Sequence, residues 1–235
     1  MVNASRLPPL LVAAALLSGC ATPAVENGPG SVTWAARSFQ HDVPGCGDAE
    51  KAPHPCVAYR VSWPEVLAAP APQARERMNA AIAEALRPAA PAASWEEEAR
   101  LLAEAFEEFQ NTKFDNEASF YHRRIAEIVR NNSFVLSVSI AEYRYTGGAF
   151  PEFRQNYLNF DPATGGLRAL ASLLAPGADS LLRRYSSAGP ATPYAPAPEG
   201  LYFLPDPARP AMLVPWSQAA ALFPPRSPLV PRPAR

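Results

Sequence analysis

Met78, Ile82 and Leu86 fall four residues apart within residues 72 to 87, which lines one face of a helix, and Pro88 ends the run. A second helix is predicted from Ser94, where Glu97 completes a capping-box pattern and Trp95, Ala99, Leu102, Phe106 and Phe109 stack on one side. Its other faces carry Glu96, Glu97, Glu98, Glu104, Glu107 and Glu108. These read as a solvated polar surface, because paired carboxylates do acid and base chemistry only where their surroundings separate their pKa values.

Elsewhere the period shortens to two. Residues 31 to 39 and 56 to 63 alternate Val, Trp, Phe and Tyr with smaller residues, as strands do. Residues 118 to 129 fit either period, but Asn131-Asn132 is a turn signal and residues 134 to 145 are rich in β-formers, so a long antiparallel hairpin is expected. Gly147-Gly148 breaks that run, Glu152 to Phe160 resumes it, and residues 161 to 166 (Asp-Pro-Ala-Thr-Gly-Gly) form a turn before further apolar sequence. A short helical patch near Asp179 to Tyr185, strands at residues 200 to 204 and 212 to 214, and a helix from Pro215 through Phe223 complete the pattern. The predicted fold class is α+β, a mostly antiparallel sheet with the two helices packed on one face.

The two ends differ from this middle. Arg6 is followed by an apolar run to Leu17 and then Ser18, Gly19 and Cys20, which reads as a signal peptide too short to span a bilayer. Leu17-Ser18-Gly19-Cys20 resembles the lipobox of bacterial lipoproteins. The resemblance implies lipidation of Cys20, cleavage after residue 19 and a membrane-held chain, since stable anchoring takes more than one acyl chain. Ala21 in place of Asp favours the outer membrane, facing the periplasm. Residues 20 to 30 then form a tether, 31 to 223 a single domain, and 224 to 235, with five prolines, an extended or disordered tail.

A formal charge of −1 with 18% charged residues gives no basic patch for nucleic acid. With Cys20 lipidated, Cys46 and Cys56 remain as one pair in an oxidising compartment, and a disulfide is expected. His41 and His54 stand nearby and supply the ligand types of a zinc site, without the close C-x₂₋₄-C and H-x₃₋₅-H pairs of structural zinc. No cofactor or metal is expected.

Further residues resemble a known domain. Tyr145-Thr146-Gly147-Gly148-Ala149, then Asn159-Phe160-Asp161, Thr164-Gly165, Leu167 and Leu170, are similar in order and spacing to the extracytoplasmic domain family of the lysozyme-sensing anti-sigma factor RsiV, shared with the amino-terminal region of PdaC-type peptidoglycan deacetylases. Trp63-Pro64, Asn79-Ala80-Ala81-Ile82, Gly200-Leu201-Tyr202-Phe203 and Val214-Pro215-Trp216 match further family features, so the resemblance spans roughly residues 56 to 223. Phe150 stands where members often have histidine, and the deacetylase chemistry belongs to a separate domain that this sequence does not include.

The resemblance implies a non-catalytic binding domain, with lysozyme, peptidoglycan or another envelope protein as partner. The expected contact loop comprises Gly147, Gly148, Phe150, Glu152 and Phe153, with Tyr143 and Tyr145 leading into it. Exposure of Phe150 separates a contact surface from core packing. The alternatives are a cell-wall hydrolase or a structural or assembly lipoprotein of a membrane complex. The sequence carries no nucleophile elbow, no His-Glu-x-x-His and no phosphate loop, and His122 reads as a partly exposed strand residue.

Overall fold

The computed structural model describes residues 31–42, 46, 54–112, 118–186 and 189–231. The expected leader and Cys20 lie outside the described residues. Five strands form one sheet in sequence order: β1 (Thr33–Asp42), β2 (Val57–Ala68), β3 (Phe120–Asn131), β4 (Leu136–Tyr145) and β5 (Glu152–Phe160). All neighbours are antiparallel except β2 and β3, which run parallel because the helices α1 (Pro72–Ala85) and α2 (Trp95–Thr112) form the crossover between them. The fold is α+β, as the pattern of the chain predicts.

Period-two alternation sends Val57, Tyr59 and Val61 of β2, Phe120 and Ala126 of β3, and Leu136, Val138 and Ile140 of β4 to the helix side of the sheet. There they meet Ala74, Met78 and Ile82 of α1 and Ala99 and Leu102 of α2. Ser94 caps α2 by accepting from the Glu97 amide at 3.2 Å, while the Glu97 carboxylate reaches back to the Ala93 amide at 2.7 Å. Asn79 of α1 bonds both the amide and the carbonyl of Val66, at 2.8 and 2.9 Å, which fixes the helix against β2.

A second sheet of three short strands, β6 (Tyr194–Pro196), β7 (Gly200–Phe203) and β8 (Met212–Pro215), packs near the far ends of β3 to β5. Asn159 joins the sheets: it accepts from Ser137 at 2.6 Å and donates to the Tyr194 carbonyl at 2.6 Å. β6 forms within a proline-rich stretch, between Pro190 and Pro198. The predicted helical patch is a single turn, α3 (Asp179–Leu182). The helix expected from Pro215 is one turn, α4 (Trp216–Ala219), followed by a 3₁₀ turn, with Pro215 preceding it as the cap.

Within residues 224 to 231, expected as part of an extended or disordered tail, Leu229 packs into a second hydrophobic cluster with Leu201, Phe203 and Leu222, and Val230 rests against it. Leu229 is fully buried there, and its carbonyl accepts from Arg130 at 3.0 Å. Two glycines of the turn motifs sit where no side chain fits. Gly147 (φ +79°) lies against the Phe109 ring of α2, and Gly165 (φ +69°) against the backbone of Ala74 in α1, so both turns dock onto the helix layer. Asp161 caps its own turn by accepting from the Ala163 amide at 2.9 Å.

Candidate functional site

The β4–β5 hairpin presents its two faces to different surroundings. On one face, Tyr143 pairs across the strands with Phe153, their ring centroids 5.0 Å apart. These rings line an open groove of about 720 Å³ with Ser139, Gln155, Tyr157 and, from the second sheet, Tyr202. At the hairpin tip Phe150 is 85% exposed, and Tyr143 is also exposed, so the expected contact loop does reach solvent. Gly148 has open space around it, whereas Gly147 is committed to packing on Phe109. Tyr145 does not join this surface: it packs half-buried on Tyr121 beside the disulfide of Cys46 and Cys56.

That disulfide takes up both thiols that the zinc reading required. Among the described residues no group of three or more potential ligands could hold a metal ion.

Glu152 lies on the opposite face from Phe153. It lines a polar groove of about 520 Å³ between the α1–α2 connection and the uncovered ends of β3 to β5. Across that face the charges alternate: His122 and Arg124 on β3, Glu142 and Arg144 on β4, Glu152 and Arg154 on β5, with Glu142 opposite Arg154 and Arg144 opposite Glu152.

Beneath this groove, α2 lowers Glu98 onto the sheet. Glu98 and Arg124 form a bidentate pair at 2.5 and 2.9 Å, and Tyr59 donates to Glu98 at 2.6 Å while accepting from Arg124 at 2.9 Å. His122 stands between two carboxylates, with Nε2 2.6 Å from Glu142 and Nδ1 3.6 Å from Glu98. Because a carboxylate oxygen only accepts, the Nε2–H is the donor to Glu142. Arg124 also donates to Glu142 at 3.2 Å.

The charges perturb one another. The His122 hydrogen bond, with the nearby Arg124 charge, holds Glu142 down to about 2 against the opposing effect of burial. For Glu98 burial is the largest influence and acts upward, but bonds from Arg124 and Tyr59 outweigh it, so its pKa is lowered. Burial, followed by the bond to Glu98, pushes Tyr59 far up.

Two sequence expectations are overturned here. Glu98 is not part of a solvated helix face but 9% exposed, and His122 is not a partly exposed strand residue but 3% exposed. The signal was present in both periods. Glu98 falls three residues after Trp95 and four before Leu102, on the apolar stripe, and His122 and Arg124 alternate with Phe120 and Ala126 on the inward face of β3.

No protein-family profile and no curated protein matches the chain in sequence. Solved structures match its fold. A DUF3298 family protein from Pseudomonas aeruginosa PAO1 aligns over 86% of this chain and 98% of its own, with a TM-score of 0.52 and 16% identity. A member of the same family from Bacteroides fragilis NCTC 9343 aligns over 86% and 97%, with a TM-score of 0.56 and 15% identity. At such identities the likeness is one of fold, and DUF3298 is the domain type to which the RsiV-like resemblance points.

Proposed function

We propose that this chain is an envelope-anchored, non-catalytic binding domain that contacts a protein partner through the tip and aromatic face of the β4–β5 hairpin. The observation that carries the reading is Phe150, 85% exposed at a hairpin tip, with the Tyr143–Phe153 pair beside it. Large exposed rings on a rigid turn cost water structure in the free protein and gain contact energy in a complex, which is why aromatic residues dominate interface hot spots. The turn is held in place by the close contact of Gly147 with Phe109 on α2.

Lysozyme is the first partner to test, because the resembling RsiV domain senses it. Peptidoglycan and other envelope proteins are the other candidates. The non-catalytic reading draws support from His122, which borders the polar groove but is 3% exposed, with Nε2 committed to Glu142 and Nδ1 3.6 Å from Glu98. A lipid on Cys20 would hold the domain at the membrane while the tether leaves the hairpin accessible. Two measurements test this. Labelled palmitate should enter the wild-type chain and not Cys20→Ala. A soluble form lacking residues 1 to 20 should retain lysozyme or one envelope protein on a column and lose it with Phe150→Ser; turnover of a glycan substrate abolished by a single substitution would replace the binding reading with the hydrolase one.

A further inference from the structure

The polar groove lies on the face of the hairpin opposite the Tyr143–Phe153 pair. Glu142 is the cross-strand neighbour of Arg154, yet its carboxylate is turned the other way, toward β3, where His122 and Arg124 hold it at 2.6 and 3.2 Å. Arg154 is therefore left without its natural counter-ion in contact. Arg144, diagonally across the same face, is opposite Glu152 but forms no ion pair with it within 4 Å. Both arginines are exposed to the groove, and among the described residues neither has a carboxylate at ion-pair distance. Arg87 faces them from the α1–α2 connection and is occupied only by an exposed contact with Glu84 at 3.4 Å.

Diagonal neighbours on adjacent antiparallel strands stand about 7 Å apart at their bases, a span that two long side chains close easily around one group. Guanidinium groups offer planar, paired N–H donors that match the oxygens of a carboxylate or a phosphate. A concavity of about 520 Å³ is of small-molecule size. We infer that this groove binds a small ligand bearing an oxyanion, a carboxylate or a phosphate group, which Arg144 and Arg154 clamp between them. The buried network has a positioning role: it draws Glu142 away from Arg154 and keeps its charge directed at β3. Glu152 is the one acidic side chain on β5 in the groove, and it competes with the ligand for Arg144.

Titration calorimetry on the full chain in uncharged detergent, with inorganic phosphate and with acetate as separate probes, tests the inference. Saturable binding of at least one probe is expected, and the tighter of the two identifies the oxyanion. Arg144→Gln and Arg154→Gln should each weaken it at least fivefold, Glu152→Gln should tighten it about twofold to threefold, and Arg37→Gln, exposed on β1 at the opposite edge of the sheet from β5, should leave it unchanged. Absence of saturable binding by both probes overturns the inference. So does equal weakening by Arg37→Gln, which would mark a general charge effect, or weakening by Glu152→Gln, which would make that carboxylate a ligand contact. Because these residues lie on the face away from Tyr143 and Phe153, either result leaves the hairpin-tip reading to its own test.

Discussion

Arg124 and Glu98 meet as a bidentate ion pair between the middle strand of the main sheet and helix α2, with Arg124 5% exposed. The pair fixes α2 over the sheet at the point where its apolar stripe is interrupted. Glu98→Ala leaves the buried Arg124 guanidinium with only Glu142 at 3.2 Å and the Tyr59 hydroxyl at 2.9 Å, and the loss of its bidentate partner costs about 3 kcal/mol, the low end for a buried pair that loses one partner. Urea unfolding should show a loss of that size, whereas Glu104→Ala, at an exposed ion pair with Arg100, should stay within about 0.5 kcal/mol.

Stability should fall in acid between pH 4.5 and about 2. Glu142 is held at about 2 in the folded chain, against 4.5 for an ordinary glutamate. A depressed folded value means that the ionised form stabilises the fold above the unfolded pKa, and that this contribution is lost as the pH drops through the folded one. The contribution is on the order of 3 kcal/mol at most. Glu98 is shifted in the same direction and adds to the effect. Urea midpoints measured across that window should decline steeply in the wild type and less steeply in Glu142→Gln.

Gly147 and Gly148 should respond differently to alanine. A Cβ at Gly147 would lie 2.5 Å from the Phe109 ring on a backbone at φ +79°, whereas at Gly148 nothing lies within 4 Å. Gly147→Ala should therefore lower stability by about 1 to 3 kcal/mol, and Gly148→Ala by less than about 0.5. Thermal melts of the two variants side by side make the comparison.

Cys46 and Cys56 are both buried, 2% exposed, beneath Tyr121 and Tyr145. Their bridge closes a loop of about ten residues, worth roughly 3 kcal/mol on the chain-entropy account. Paired Cys46→Ser and Cys56→Ser substitution should cost a comparable amount, read as a shift in the denaturant midpoint. The free-thiol count of the unfolded wild type should rise by two on reduction.

The apolar periods of the chain were enough to place α1, α2, the β3–β4 hairpin and β5, because each of these elements buries one regular face. The parallel pairing of β2 with β3 was not legible, since it depends on where two helices return the chain rather than on any local pattern. β6 was hidden by Pro193, Pro196 and Pro198: prolines mark loops, yet Tyr194 and Ala195 are buried at a sheet edge. At the candidate site, Phe150, Glu152 and Phe153 are expected from the sequence to protrude together; Phe150 is exposed and Phe153 half-buried, but Glu152 belongs to the other face by the alternation of β5. The buried cluster is not legible in the sequence because a charged residue on an apolar stripe carries the same local signature as one on a solvated edge. Glu98 and Arg124 are separated by 26 positions and become partners only once α2 lies on the sheet.

The claim that the β4–β5 tip is a contact surface is tested most directly by binding of the soluble chain to lysozyme, with envelope extract as a second bait, for wild type and Phe150→Ser. Phe150 touches no core cluster, so the substitution should leave the melting temperature unchanged. The account predicts saturable wild-type binding that weakens at least tenfold in Phe150→Ser. Equal binding by the two proteins, or no retained partner from either source, would contradict it.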